Sequence, residues 1–281
     1  MQRIFIFGLG YSGSRIATAF AAQGWEVLST GREGALRFDD AANVRLALAD
    51  ASQVLSSVPP DGTGSDPVID AYGDALVGKA LVYLSSTGVY GDTAGAWVDE
   101  STAIGTGRRT ARSEADAAWL ARGARVLRLP GIYGPGRSAL ERVLGGAAQR
   151  IDLPGQVFSR IHVDDIVAAA RLAIEAPAGA YNIADDEPAS QNAVIEEACR
   201  LLGRDPPPLL TLDQTNLSPM ARAFYAENRR VANGKARRVL GWTPRYPTFR
   251  EGLRACLSGD NAITSPTIAS AAPASASADQ R

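Results

Sequence analysis

Histidine is almost missing from this sequence of 281 residues: His162 is the single example. Cysteine occurs only at Cys199 and Cys256, and lysine only at Lys79 and Lys235. Two cysteines set inside helical patterns build no disulfide framework, and a lone histidine offers no metal-ligand spacing. A Ser-His or Cys-His hydrolase is excluded unless it uses His162 itself. No apolar run is long enough to span a bilayer. The opening MQRIFIFGLG is too short and too poorly flanked for a secretion signal. The formal charge is -1, so composition makes no general electrostatic case for nucleic acid or an acidic membrane as partner. A small-molecule substrate and a reducing, cytoplasmic setting are the expectations that remain.

What the sequence does have is alternation. Short apolar runs at Ile4–Phe7, Glu26–Ser29, Ala35–Phe38, Gln53–Val58, Ala80–Ser85 and Arg125–Leu129 predict strands. Between them, Ser14–Gln23, Ala41–Ala49, Asp66–Leu76 and Arg108–Arg122 carry helical patterns. Strands alternating with helices imply an α/β fold with a doubly wound parallel sheet. After Gly136 the rhythm changes. Helices are expected at Ser138–Gln149, Val163–Ile174, Ser190–Leu202 and Phe249–Cys256, and in two pieces over Pro219–Leu240, with a brief strand at Tyr181–Ile183. The organisation expected is a Rossmann-like domain over 1–135 and a smaller substrate lobe over 136–257, some of whose elements return to the sheet. From 258 to 281 the chain is mostly Ala, Ser, Pro and Thr, a composition expected to be disordered because it buries too little surface to offset its ordering entropy.

Gly8-Leu9-Gly10-Tyr11-Ser12-Gly13 follows the first strand and opens a helix. In a G-x-G-x-x-G loop the first glycine permits the turn and the second lets backbone approach a pyrophosphate. The third allows close helix–strand packing, and the helix N-terminus offers N–H donors. A glycine turn here has a purely structural reading too; its place at the first strand of a βαβ series favours a dinucleotide. The second strand ends in Ser29-Thr30-Gly31-Arg32, without the acid that usually holds an NAD ribose. Arg32 can pair with a 2′-phosphate, which favours NADP over NAD, although Glu33 adjoins it and a plain surface arginine remains an alternative. Asp39 is placed to meet an adenine amino group, and Ser57-Val58-Pro59 to run beside the nicotinamide ribose; both also read as ordinary strand-end residues.

Leu84-Ser85-Ser86-Thr87-Gly88-Val89-Tyr90-Gly91-Asp92 resembles the strand-five signature of the extended short-chain dehydrogenases, the NDP-sugar epimerase/dehydratase group. Arg128-Leu129-Pro130-Gly131-Ile132-Tyr133-Gly134-Pro135-Gly136-Arg137 is similar to that family's strand-six motif. Arg160-Ile161-His162-Val163-Asp164-Asp165-Ile166 and Tyr181-Asn182-Ile183 match two further landmarks in order, so the resemblance runs from Met1 to about Leu257. It implies a Rossmann-like core, a small C-terminal substrate lobe and a cleft between them for hydride or proton chemistry. It also implies that Pro130 and Ile132 contact the cofactor. Homodimers are common in the family, although no residues here single out an interface.

The family's catalytic set is a Ser or Thr after strand five plus Tyr and Lys in Y-x-x-x-K, with tyrosinate as base. Ser86 falls on the Ser/Thr position, the alternative being that Ser85 and Ser86 merely cap the strand. Thr106 and Thr110 stand where Tyr and Lys are expected, and threonine is a poor proton donor or acceptor near neutral pH. Arg108 or Arg109 could anchor an anion instead. Tyr90, Tyr133 and His162 read first as structural, and Asp164-Asp165 as helix N-terminal acids. Two functions follow: an NADP-dependent oxidoreductase or epimerase with an unusual acid/base, acting on a sugar-nucleotide-like or other small carbonyl or hydroxyl substrate, or a non-catalytic NADP(H)-binding sensor or scaffold.

Overall fold

The computed structural model describes residues 2–259, apart from 62–63, 106–109, 216, 219–221 and 223–224. Thr106, Arg108, Arg109 and the tail beyond Gly259 lie outside the described residues.

Six parallel strands form the central sheet: β1 (Arg3–Phe7), β2 (Glu26–Thr30), β3 (Gln53–Ser56), β4 (Ala80–Ser86), β5 (Arg125–Leu129) and β6 (Gly179–Asn182). Their spatial order is β2-β1-β3-β4-β5-β6. The order reverses between β1 and β3, and a crevice at the carboxyl ends of the strands opens at such a point. Strand alternation separates two cores. Ile4 and Ile6 point to the face covered by α1 (Tyr11–Ala21) and α6 (Val163–Ala173), where Ile16, Phe20 and Ile166 meet them. Phe5 and Phe7 point to the opposite face. There α2 (Ala41–Asp50), α3 (Pro67–Tyr72) and α4 (Thr110–Ala121) contribute Val44, Leu48, Tyr72 and Trp119.

A third core joins α5 (Ala139–Leu144), α7 (Gln191–Leu202) and α8 (Phe249–Ser258) through Leu140, Ile195, Phe249 and Leu253. Gly252 on α8 is required there, because a Cβ on it would stand 2.0 Å from the Tyr133 hydroxyl. Two short strand pairs tie this part to the sheet domain, Gly131–Tyr133 with Arg160–His162 and Trp97–Val98 with Arg230–Val231, and a third, Arg150–Ile151 with Leu209–Leu210, lies within it. Among the described residues no helix is long and apolar enough to cross a membrane.

Several expected elements differ. Ala35–Phe38 is not a strand: one bridge, Thr30 to Leu36, is all that forms, because Asp40 caps α2 and stops the run. Helix α1 begins at Tyr11, not Ser14, so the last residues of the glycine loop already belong to it. Helix α5 ends at Leu144, where Gly145 and Gly146 follow. Within the stretch expected to be helical over Pro219–Leu240, Arg230–Val231 is extended, since its backbone pairs with Trp97–Val98.

One polar network lies inside the apolar body. Arg128 on β5 holds the Asp116 carboxylate of α4 with two bonds, 2.7 and 3.1 Å, and Ser85 of β4 donates to it at 2.7 Å. Arg128 also donates to the Tyr90 hydroxyl at 3.0 Å, and Tyr90 donates to Asn182 of β6 at 2.8 Å. The side chains of the ion pair are 3% and 0% exposed. Removing one partner leaves the other buried and charged. Asp116→Ala is therefore expected to cost about 3–5 kcal/mol, measured by urea unfolding, and Asp116→Leu/Arg128→Met to recover much of that loss.

Candidate active site

The glycine loop closes on the end of β3. Ser57 Oγ donates to Gly8 O at 2.7 Å, joining the two strands that flank the reversal. Gly8 has φ +86°, and a Cβ on Gly13 would sit 2.1 Å from Gly8 O, so both positions demand glycine. Gly10 is different: a Cβ there would meet nothing within 4 Å. Its missing side chain leaves free space in front of α1, whose N-cap is Gly10 with no side-chain cap. That is the cradle a pyrophosphate needs, and the loop fits a dinucleotide.

A cavity of about 750 Å³ runs from this loop along the strand ends. Gly10, Tyr11, Ser12, Gly13, Ser57, Ser86, Pro130 and Ile132 all wall it. Gly8 and Val58 are not among its wall residues. Arg32, Asp39 and Pro59 are exposed and lie outside this cavity. Asp39 does not wait free for an adenine: Arg37 holds its carboxylate with bonds of 2.9 and 2.7 Å, and that pair draws the carboxyl below its usual range.

Ser85 and Ser86 divide the roles that the sequence left open. Ser85 spends its hydroxyl on Asp116 inside the protein. Ser86 Oγ accepts from Gly88 N at 3.1 Å, capping the short helical turn Thr87–Tyr90, while the residue faces the cavity. Capping and facing the cavity coexist, because an accepting hydroxyl keeps its own proton to donate.

Tyr11 does not replace the missing tyrosine as a base. Its hydroxyl donates to Pro135 O at 3.0 Å, and burial, partly offset by Arg15, pushes it up to about 12. Tyr90 belongs to the buried network, and Tyr133 packs edge-on against His162. His162 is fully buried. Its Nδ1 accepts from Asp164 N at 3.2 Å as the N-cap of α6, and burial pushes it down to about 4. A neutral cap cannot serve as a general acid near neutrality. Asp165 is likewise structural, since it accepts from the backbones of Arg245 and Tyr246. Neither lysine lines the cavity; Lys79 donates to Ala51 O and Lys235 to Ala180 O.

Arg112, in the first turn of α4, is a wall residue that sequence reading missed. Arg229 belongs to the arginine-rich stretch 220–231, which the sequence offered either as an anion-binding face or as a solvated helix. It pairs with Glu227 at 2.8 Å on the same wall. Phe158 and Ser159 line it as well. Arg128, an arginine in an otherwise apolar strand, was the available signal for the network beneath.

No family model matches the chain. Protein YeeZ of Escherichia coli (strain K12) is 30% identical over 88% of this chain and 97% of its own length. A protein from Silicibacter pomeroyi, described as functionally unknown and conserved, is 38% identical, with TM-score 0.81 over 92% of this chain and 99% of that one. Solved epimerases and a dehydratase, several with NAD bound, share the fold at lower identity. The chain belongs to the family of protein YeeZ and has the fold of the NAD-dependent epimerases and dehydratases. The chain also matches a 3-diazoavenalumate denitrifying reductase from Streptomyces, 36% identical over 140 residues. That match spans 45% of the reductase and 46% of this chain.

The chain also buries Asp185, at 1% exposure, with the Glu187 backbone as its weak hydrogen-bonding neighbour. Burial, partly offset by Arg160, pushes its carboxyl up to about 8. Between the unfolded value near 3.9 and about 8, the folded chain holds a proton that the unfolded chain has released. This contribution to stability is complete below the unfolded value and is lost as pH rises to the folded one. Asp185→Asn should remove that decline, which denaturant titrations at about pH 5 and pH 8 would reveal as a smaller difference than in the parent.

Proposed function

We propose that this chain is an NADP(H)-dependent oxidoreductase, working by reduction or oxidation of a small carbonyl or hydroxyl substrate without the family's Tyr and Lys. The observation that carries this reading is one continuous cavity joining the glycine loop to Ser86. The cofactor, when bound, supplies or accepts hydride. Gly10 to Gly13 hold its phosphates. Arg32, exposed at the end of β2 with no acid at the strand tip, supports preference for a 2′-phosphate.

The chain's own residues do the rest. Ser86 donates its proton as a hydrogen bond to the reacting oxygen. Arg112 and Arg229 on the cavity wall supply positive charge that favours an oxyanion forming there. This arrangement suits electrostatic stabilisation better than proton transfer, because neither group is a good acid near neutrality. The denitrifying reductase match supports the reductive direction.

A second reading is a non-catalytic NADP(H) sensor, favoured by the absence of any lysine from the cavity wall. Turnover separates the two. Purified protein is titrated with NADPH and NADH by fluorescence and then assayed against a carbonyl panel. Ser86→Ala should lower kcat by about 10²-fold with NADPH affinity unchanged; turnover by no member of a broad panel supports the sensor. Arg32→Ala should weaken NADPH by roughly tenfold and leave NADH unaltered, and equal losses for both would overturn the NADP preference.

A further inference from the structure

A second cavity of about 340 Å³ adjoins the first, sharing Gly131, Ile132, Arg137, Phe158 and Ser159 as wall. Its deepest charged group is Arg160, 6% exposed. A buried guanidinium normally faces a carboxylate. Here Arg160 donates to neutral acceptors instead: Phe158 O and Ala189 O at 2.8 Å, Gln191 Oε1 at 3.2 Å and Ser190 O at 3.5 Å. No carboxylate lies within 4.0 Å of it among the described residues. Asp185 is the acid whose field reaches it, but the two form no ion pair within 4.0 Å, and burial pushes the Asp185 carboxyl up.

Gln191 completes the pattern. Its carbonyl oxygen is taken by Arg160, and its Nε2 is buried with no acceptor among the described residues. Glu141 also lines the cavity, but its carboxylate is spent on Gly136 N, Ser138 N and the Ser138 hydroxyl. A buried positive charge without a counter-ion and a buried donor without an acceptor therefore face one space. Both deficits are met by the same object, an anionic oxygen. Ile132, Phe158, Val194, Phe249 and Leu253 give the wall its apolar part, and the exposed Arg137 and Arg142 also line it.

We propose that this cavity seats a carboxylate on the substrate, held by Arg160 and Gln191, with an aromatic or alkyl body leading back to Ser86. The inference rests on the oxidoreductase reading for what happens at Ser86, and on the second cavity alone for the anion. One buried cation matches one negative charge. A nucleotide diphosphate would bring at least two, and the remaining arginines of the wall, Arg137 and Arg142, are exposed, so most of that charge would be buried unmatched.

Calorimetric titration of the full chain with 3-phenylpropanoate, its neutral amide 3-phenylpropanamide, and UDP tests the assignment, with and without NADPH. The carboxylate is expected to bind with Kd of about 1 mM or tighter, and at least roughly tenfold more tightly than the amide. Gln191→Glu places a carboxylate beside Arg160. It should weaken 3-phenylpropanoate at least about tenfold while raising Tm and leaving the NADPH fluorescence titration unaltered. Arg160→Met should abolish carboxylate binding, and Gln191→Glu decides the matter if that variant does not fold. No carboxylate binding at about 10 mM, equal binding of the amide, or UDP binding lost in Gln191→Glu without carboxylate binding would each overturn the proposal. Absence of NADPH binding counts against the cofactor reading alone, because the titrations without NADPH stand independently.

Discussion

The Asp116–Arg128 pair is the constraint on which the site's geometry depends. Helix α4, β4, β5 and β6 meet at one carboxylate and one guanidinium that water does not reach. An apolar contact would tolerate sliding of a helix over a sheet, since burial is non-directional. A bidentate ion pair does not, because each bond has a direction and each lost bond leaves a buried charge. Ser85 is fixed by that carboxylate, and Ser86, the next residue, is thereby aimed at the cavity. The network holds the Ser86 end of the cleft, while the Ser57–Gly8 contact holds the glycine-loop end.

Between those fixed ends the cleft changes character. Near the glycine loop it presents backbone and open space, as suits a cofactor bound mainly through its phosphates. Towards the helical part it presents arginines: Arg112 and Arg229 in the first cavity, Arg160 in the second. This gradient from backbone donors to side-chain cations fits a division between a shared cofactor and a particular substrate. Fixed positive charge stabilises a developing oxyanion without a proton changing hands.

The buried groups that look titratable divide by the same physics. His162 and Asp165 are consumed by backbone at the start of α6 and around Arg245. Asp185 is buried with weaker compensation, and burial pushes its carboxyl up. Only Arg160, which cannot discard its charge so easily, is left needing a partner from outside.

The parallel sheet, the glycine loop and the family motifs were legible in the sequence, because strand alternation and a glycine demanded by φ or close packing are local properties. The run Ile4–Phe7 declares its two faces by itself, and Gly8 and Gly13 declare their turn. Ala35–Phe38 misled because four β-compatible residues look like a strand until the cap at Asp40 claims the backbone that follows. The partners of Asp116, Arg128 and Arg160 were not legible, since nothing in local spacing says which charges meet when helices and strands distant in sequence pack together. The sequence determined the glycine turn between β1 and α1. Tertiary structure alone decided that the Ser85 hydroxyl is taken by Asp116 and that Arg160 is buried among neutral acceptors, because each of these depends on neighbours brought from elsewhere in the chain.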